Sequence, residues 1–546
     1  MANEHFDVIV LGYGSAGANA ALQAAHLGAR VLILEKHTEA GGNSFVSSAN
    51  MTMPTDFHKK TKSDGRQFAA YLEEVSQDTT PKKVIDAFVE GLYELPSWLE
   101  VLGGEFEENQ FKRMWTYYIP AVTFPNLDSA NDIDLKIYHI KQTERCPAPT
   151  AGRRVWELLD SHLQQAPNVE IRTGVNVRAI NREHTNAGRG RITGVHLDNG
   201  TDISASAVVM ACGGFEADTG LKRDLLGPRR IGLLGSPANQ GDGLRLAAKA
   251  GAKTWHQSAE ASVLGFLPPG DDTGFALALS HPSFIFVNQK AQRFINEAKL
   301  ESHRGHSDTA ALDHESGKYA NDPIWLIMDG ANIEDQAKPV LEIFSHRIVR
   351  EGYEWSEHSA QEIEKGWGKK AESIAELAKQ TGLSEEALKR TLEQWNGIDE
   401  ESEEPFGRPS ESLRPIHPPF YAIQLTPLLY NTQGGPQRDE RAQILDPDGD
   451  VIEGLYGAGE LGSVWGHAYQ SSTNFSETIV FGRIAGREAA ALAAKRQQGV
   501  KDVNPDGTIA ERAQKDPPIA IDRREFQQER MGASGFLGGQ EAAMNA

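Results

Sequence analysis

The 546-residue chain holds only two cysteines, Cys146 and Cys212. Two thiols exclude a disulfide framework, an all-cysteine iron–sulfur cluster and a C-x-x-C-H haem attachment. Long apolar runs are missing as well; none approaches the roughly 20 residues that span a bilayer. The first ten residues, MANEHFDVIV, lack a basic stretch followed by an apolar one, which argues against a signal peptide. Positive charge is scarce: 55 lysines and arginines against 76 acidic residues leave a net charge of −21. That balance disfavours nucleic acid and anionic membrane surfaces as partners. The rest of the composition is ordinary for a globular enzyme, and the length suits roughly three or four domain-sized units. The expectation is a cytoplasmic protein with no metal site and no membrane span.

The most informative stretch is FDVIVLGYGSAGANAALQAAHLGARVLILEK. Phe6 to Leu11 reads as a strand buried on both faces. Gly12, Gly14 and Gly17 then form G-x-G-x-x-G, with Ser15 and Ala16 at the start of an apolar helix that Gly28 stops. A second strand, RVLILE, ends in Glu35. Gly12 permits the tight turn, Gly14 lets the backbone approach a pyrophosphate, and Gly17 lets helix and strand pack closely. Glu35 is placed to accept hydrogen bonds from an adenosine ribose, which argues against a 2′-phosphate. The pattern predicts a dinucleotide site.

Beyond Glu35-Lys36 come Gly41, Gly42, Asn43 and Ser44. This segment resembles the FAD-binding flavoproteins of the succinate dehydrogenase and fumarate reductase type, a family that includes the 3-ketosteroid dehydrogenases. The resemblance recurs along most of residues 5–495. VNVRAI, with Val177, looks like the strand that meets adenine through backbone groups. AVVMACGGFEAD, with Ala211 and Gly213, resembles a strand followed by Gly-Gly. ANQGDGLRLAAKAGA, with Asp242, resembles the family's G-D-G helix start. GLYGAGELGS looks like the second flavin motif, with Gly459 and with Glu460 on the ribityl chain. Asn474, Phe475 and Ser476 open a closing helix whose free N–H groups would meet the flavin. The resemblance implies a Rossmann-type α/β FAD-binding domain, discontinuous over 1–255 and 430–497, with an α+β cap inserted at 256–429 and a tail at 498–546. The tail is either disordered or an arm on a partner subunit, which leaves oligomerisation open.

In covalently flavinylated members a histidine sits after the first Gly-Gly. Here NSFVSSANM has none and His58 lies beyond it, so FAD is expected to be held non-covalently. No second G-x-G-x-x-G follows a strand, so an external electron donor or acceptor is expected. Within the cap, ESIAELAKQTGLSEEALKRTLEQWN reads as two amphipathic helices joined at Gly382, the second capped by Ser384.

Oxidising or reducing a carbon–carbon bond on a flavin needs a hydride path and a proton donor or acceptor, with a polarising group for the neighbouring carbonyl. In fumarate reductases the proton donor is an arginine shortly after R-F-x-N-E. Here Arg293 to Glu297 match the motif, Glu301 occupies the arginine's place, and the nearest arginine is Arg304, flanked by His303 and His306. Three dicarboxylate-binding positions of that family also differ, with Ala259 or Glu260, Asn431 and Tyr469 in place of charged donors. Fumarate or succinate is therefore not expected. A tyrosine at the last position resembles the 3-ketosteroid dehydrogenases, where it polarises a ketone. Tyr469, Arg304, His303 and His467 are the candidate catalytic residues. Asn431 with the aromatics Trp115, Tyr117 and Tyr118 are the candidate substrate contacts; the aromatics read first as a satellite core under a loop and second as a pocket wall. The expected small-molecule substrate is a cyclic ketone, a keto-acid or a steroid-like enone. An unsaturated carboxylic acid, or a non-catalytic flavin-binding redox role, stays open as an alternative.

Overall fold

The computed structural model describes residues 4–55, 57, 63–109, 115–116, 118–131, 133–185, 188–279, 281–333, 353, 355–398 and 403–499. Tyr117, His58 and nearly all of the expected tail lie outside these residues.

The first strand, His5–Leu11, is the centre of an eight-stranded sheet. It pairs in parallel with Val31–Leu34 on one side and Asp202–Met210 on the other. Val169–Arg172 and Val451–Gly457 extend the parallel core outward. All four residues of Val31–Leu34 are buried, which is why this stretch is continuously apolar rather than alternating. Helix Ser15–His26 follows the glycine turn, ending just before Gly28. Ala18, Ala21 and Leu22 bury its inner face.

The long helix Asn474–Gly499 lies against Ser15–His26. Close approach requires glycine there: a Cβ on Gly486 would stand 2.1 Å from the carbonyl oxygen of Ala20. The parallel sheet and its first helix thereby draw on both ends of the described chain.

A second sheet of seven strands, mostly antiparallel, is built around Phe420–Thr432. Glu260–Phe266 and Ile324–Met328 flank that strand, and Gly232–Leu233 and Gly368–Ala371 also pair with it. One face carries Phe266, Phe284, Leu326 and Met328. The other is covered by the helices Ile374–Thr381 and Glu385–Asn396, through Leu377, Leu388, Leu392 and Trp395. Gly382 joins this pair in the left-handed region, at φ 75°. The Ser384 hydroxyl accepts the N–H of Ala387 at 3.3 Å, an N-cap. The joint and the cap follow from local chemistry, so periodicity and turn residues suffice to find them.

The R-F-x-N-E segment is anchored beneath this sheet. Arg293 pairs with Glu297 at 2.7 Å and with Glu404 at 2.6 Å, and Arg408 reaches Glu297 at 3.2 Å. All four side chains are buried, so removing one partner strands a charge. The network anchors the segment that leads into residues 298–304.

Candidate active site

The two sheets meet over a cavity of about 810 Å³. One end is built by the glycine turn. Gly12 has φ +99°, and a Cβ there would lie 2.3 Å from the carbonyl oxygen of Ala211. The turn therefore needs glycine both for its conformation and for its proximity to the neighbouring strand. At Gly17 a Cβ would stand 2.0 Å from the carbonyl oxygen of Gly12, so helix and turn close on each other. Gly14 faces the cavity, with nothing nearer to its absent Cβ than the Ser44 hydroxyl at 3.4 Å.

Glu35 stands at the end of the second strand. Its carboxylate accepts the N–H of Tyr13 and of His37, each at 2.9 Å. Val177, Ala211, Gly213 and Asp242 line the same end. Lys36 forms an ion pair with Asp242 across it. Ser15 and Ala16 are buried in the wall, and the Ser15 N–H donates to the Ser44 hydroxyl at 2.9 Å.

The middle of the cavity is a buried polar knot. The Asn43 amide donates to Glu216 at 2.9 Å and to Glu460 at 3.0 Å. Its carbonyl accepts the Ser236 N–H at 2.6 Å. Asn431 donates to the other oxygen of Glu460 at 2.8 Å. Burial, and then the Glu216 charge, push the Glu460 carboxyl up to about 8. Burial also raises Glu216, against the hydrogen bonds from Asn239 and Asn43. Two carboxyls brought together in a dry site call for donors, and a polyhydroxylated chain supplies them.

At the far end stand Tyr469, His303 and Tyr430. The Tyr469 oxygen accepts the N–H groups of Thr473 at 3.1 Å and Asn474 at 3.2 Å. The expected free donors of the closing helix are thus partly engaged by this phenol. Burial, partly offset by those donors, raises the Tyr469 hydroxyl, so it stays protonated. With both lone pairs used, its own O–H remains to donate. His303 lies edge-on to Tyr469, ring centres 5.1 Å apart. Its Nδ1 is 2.7 Å from Glu301.

The other sequence candidates are placed differently. Arg304 does not line the cavity; it pairs with Asp308 at 2.6 Å and covers the ring of Phe124. The alternation of the turn sends residue 303 inward and residue 304 outward. His467 is exposed and is likewise absent from the cavity wall. Trp115 packs on the cap core, and Tyr118 is exposed; neither lines the cavity. Gly17, Gly41 and Ser476 support the wall from behind, the Ser476 hydroxyl donating to the Thr473 carbonyl. Gly42, Asn43, Ser44, Gly459, Glu460, Asn474 and Phe475 all face the cavity.

Glu216, Glu301 and Tyr430 were not singled out from the sequence. Glu216 had a signal, an acid directly after Gly-Gly-Phe in a buried segment. Glu301 had one too, an acid in an arginine's place.

A family profile described as "FAD binding domain" matches residues 7–476. The chain belongs to this FAD-binding family. Its relatives include a probable fumarate reductase of Shewanella frigidimarina, 27% identical over 89% of this chain and 75% of that protein. A 4-oxocyclohexanecarboxylate 2-dehydrogenase of Sinomonas cyclohexanicum is 26% identical over 90% of this chain and 94% of that one. A 3-oxosteroid 1-dehydrogenase of Mycolicibacterium smegmatis is 26% identical over 91% and 100%. In fold, the family member resembles the 3-ketosteroid Δ1-dehydrogenase of Sterolibacterium denitrificans, with a TM-score of 0.72 at 21% identity over 89% of this chain and 100% of that one.

The chain is a FAD-dependent oxidoreductase acting on CH–CH groups. Its cavity fits FAD: a glycine cradle and Glu35 at one end, buried acceptors for ribityl hydroxyls at Glu460, and a helix start at Asn474 for the ring system. Among the described residues no helix is long and apolar enough to cross a membrane.

Proposed function

We propose that this enzyme introduces or reduces a carbon–carbon double bond beside a ketone or a single carboxylate, on a cyclic ketone, keto-acid or steroid-like substrate. The observation that carries this reading is the Tyr469 phenol on the cavity wall, whose oxygen accepts two N–H donors and which keeps an O–H to donate. A neutral donor suits a ketone, where charge develops only as an enolate forms. The cationic side chains that line the cavity, Lys36 and Arg178, belong to the Glu35 and Val177 end. Among the described residues no lysine or arginine lines the Tyr469 end, so a dicarboxylate would lack the charge-assisted grip it needs. The name of one relative, 4-oxocyclohexanecarboxylate 2-dehydrogenase, carries a cyclic ketone with one carboxylate, which agrees.

Bound FAD supplies hydride acceptance or donation. Tyr469 orients and polarises the carbonyl. Asn43 and Glu460 hold the cofactor, Asn431, which donates to Glu460, is the substrate contact beside it, and FAD is held without a covalent bond. Residues 1–255 and 430–497 form the cofactor unit and 256–429 the cap; the parallel sheet fits this division, while Gly232–Leu233 of the first unit pairs with the central strand of the second sheet. An external donor or acceptor completes the cycle.

Anaerobic titration of the oxidised holoenzyme with cyclic ketones, 3-ketosteroids, succinate and saturated monocarboxylates tests the reading. Ketones are expected to bleach the flavin and succinate is not. Bleaching by succinate with no response to any ketone would overturn it. Acid precipitation is expected to release all of the flavin into the supernatant.

A further inference from the structure

We infer that Glu301 and His303 are the proton-handling pair of this site, with His303 the catalytic acid–base and Glu301 its positioning residue. The inference rests on the function proposed above and assigns the one role that Tyr469 leaves open.

Glu301 grips His303 twice. One carboxylate oxygen lies 2.7 Å from Nδ1, and the other accepts the backbone N–H of His303 at 2.9 Å. Glu301 itself is only 5% exposed, so water competes little for it. The Ser471 hydroxyl, 3.3 Å from Nδ1, is the weaker contact by distance. An acceptor-only carboxylate at Nδ1 fixes the proton on that nitrogen in the neutral ring. The lone pair then sits on Nε2. The ring lies 5.2 Å from that of Tyr430 and 5.1 Å from that of Tyr469, centre to centre, on the cavity wall. Its neighbours leave it little freedom to turn.

The step needs no oxidant. Nε2 takes the proton from the carbon beside the carbonyl. That C–H bond breaks, its electron pair moves into the carbonyl to give an enolate, and an N–H bond forms. Tyr469 donates to the enolate oxygen while Glu301 faces the resulting imidazolium. The reverse step returns the proton. Arg304 is unsuited to this work, because its guanidinium is engaged with Asp308 outside the cavity.

Proton exchange can therefore be read apart from turnover. The holoenzyme is kept reduced with dithionite in D₂O and given the ketones used above, with cyclohexanone first. NMR follows deuterium entering the carbon beside the carbonyl. Wild type is expected to catalyse exchange, H303Q to lose it by about 100-fold, within the range for a general base, and E301Q to lose about tenfold with partial recovery in E301D. Flavin absorbance reports that each variant holds its fold. Nitrogen NMR of histidine-labelled protein gives an independent readout: the Nδ1–H form at His303 in wild type and a mixture in E301Q. Exchange undiminished in H303Q would overturn the inference, as would an Nε2–H form in wild type. A ketone that bleaches the flavin but does not exchange would sink the pair and leave the proposed function standing. Failure of every ketone and monocarboxylate to bleach the oxidised flavin, and of every matching unsaturated compound to reoxidise the reduced one, would remove both.

Discussion

The ring of His303 meets that of Tyr469 edge-on, 5.1 Å between centres and 70° between planes. One side chain offers a nitrogen, the other a phenol, and they converge on the same end of the cavity. A carbonyl between them could be polarised by one and deprotonated at the adjacent carbon by the other. That convergence is what the proposed chemistry requires.

Tyr469→Phe removes the O–H donor and also the acceptor for two helix N–H groups. The rate of flavin reduction by ketone is expected to fall by about 10²–10³-fold, the usual effect of losing one oxyanion donor. Leaving Thr473 and Asn474 unpaired is expected to cost about 1–3 kcal/mol of stability. Stopped-flow absorbance and thermal melting separate the two effects. Full turnover in the variant would sink the role of Tyr469.

Arg304→Gln is expected to change the same rate by less than about threefold, or about 0.7 kcal/mol in the barrier. Sequence spacing makes Arg304 a proton-transfer candidate, yet its partner is Asp308, four residues on in the same turn. A loss near 100-fold would return Arg304 to the chemistry and point to a rearranged loop in the working enzyme.

The difference between these two residues shows which parts of the site were legible. Gly17 closes on Gly12, and Glu35 accepts from Tyr13 and His37, all within about one βαβ unit, so their spacing carried the information. Asn43 instead meets Glu216 and Glu460, 173 and 417 positions away. No local pattern encodes such a meeting. The turn that carries His303 and Arg304 is held by backbone bonds from Ser262 to His303 and from Ser302 to Tyr118, again between distant segments. The cap helices were legible because Gly382 and Ser384 act on their own turn.

The two glycines of the turn are expected to behave differently. Gly17→Ala forces a methyl to within 2.0 Å of a backbone oxygen, so something must move. It is expected to lower stability by about 1–3 kcal/mol, as overpacking does, and to abolish FAD retention. Gly14→Ala meets its nearest atom at 3.4 Å and should leave the FAD-free melting curve within about 0.5 kcal/mol. Its methyl would stand in the cavity where the backbone must approach a pyrophosphate, so FAD affinity is expected to fall while the fold holds. Equal losses of stability in both variants would contradict the close-approach account.

Glu460 gives the FAD-free protein a pH dependence of definite sign. Burial and the nearby Glu216 hold its carboxyl at about 8 in the folded chain. In the unfolded chain it titrates near 4.3, roughly the value for an unperturbed glutamate. Between those values the folded state binds more protons than the unfolded state, so stability falls as pH rises. One such proton gives a slope of about 1.4 kcal/mol per pH unit, and the slope from this group vanishes above about 8. Denaturant melts of the FAD-free chain from pH 5 to 8 should show the decline, and Glu460→Gln should make it shallower, because the amide does not titrate while Glu216, also raised by burial, still does. Wild-type and Glu460→Gln curves of equal slope would mean that Glu460 is ionised in the folded protein. The buried carboxyl pair at the centre of the cavity would then need a different source of neutralisation.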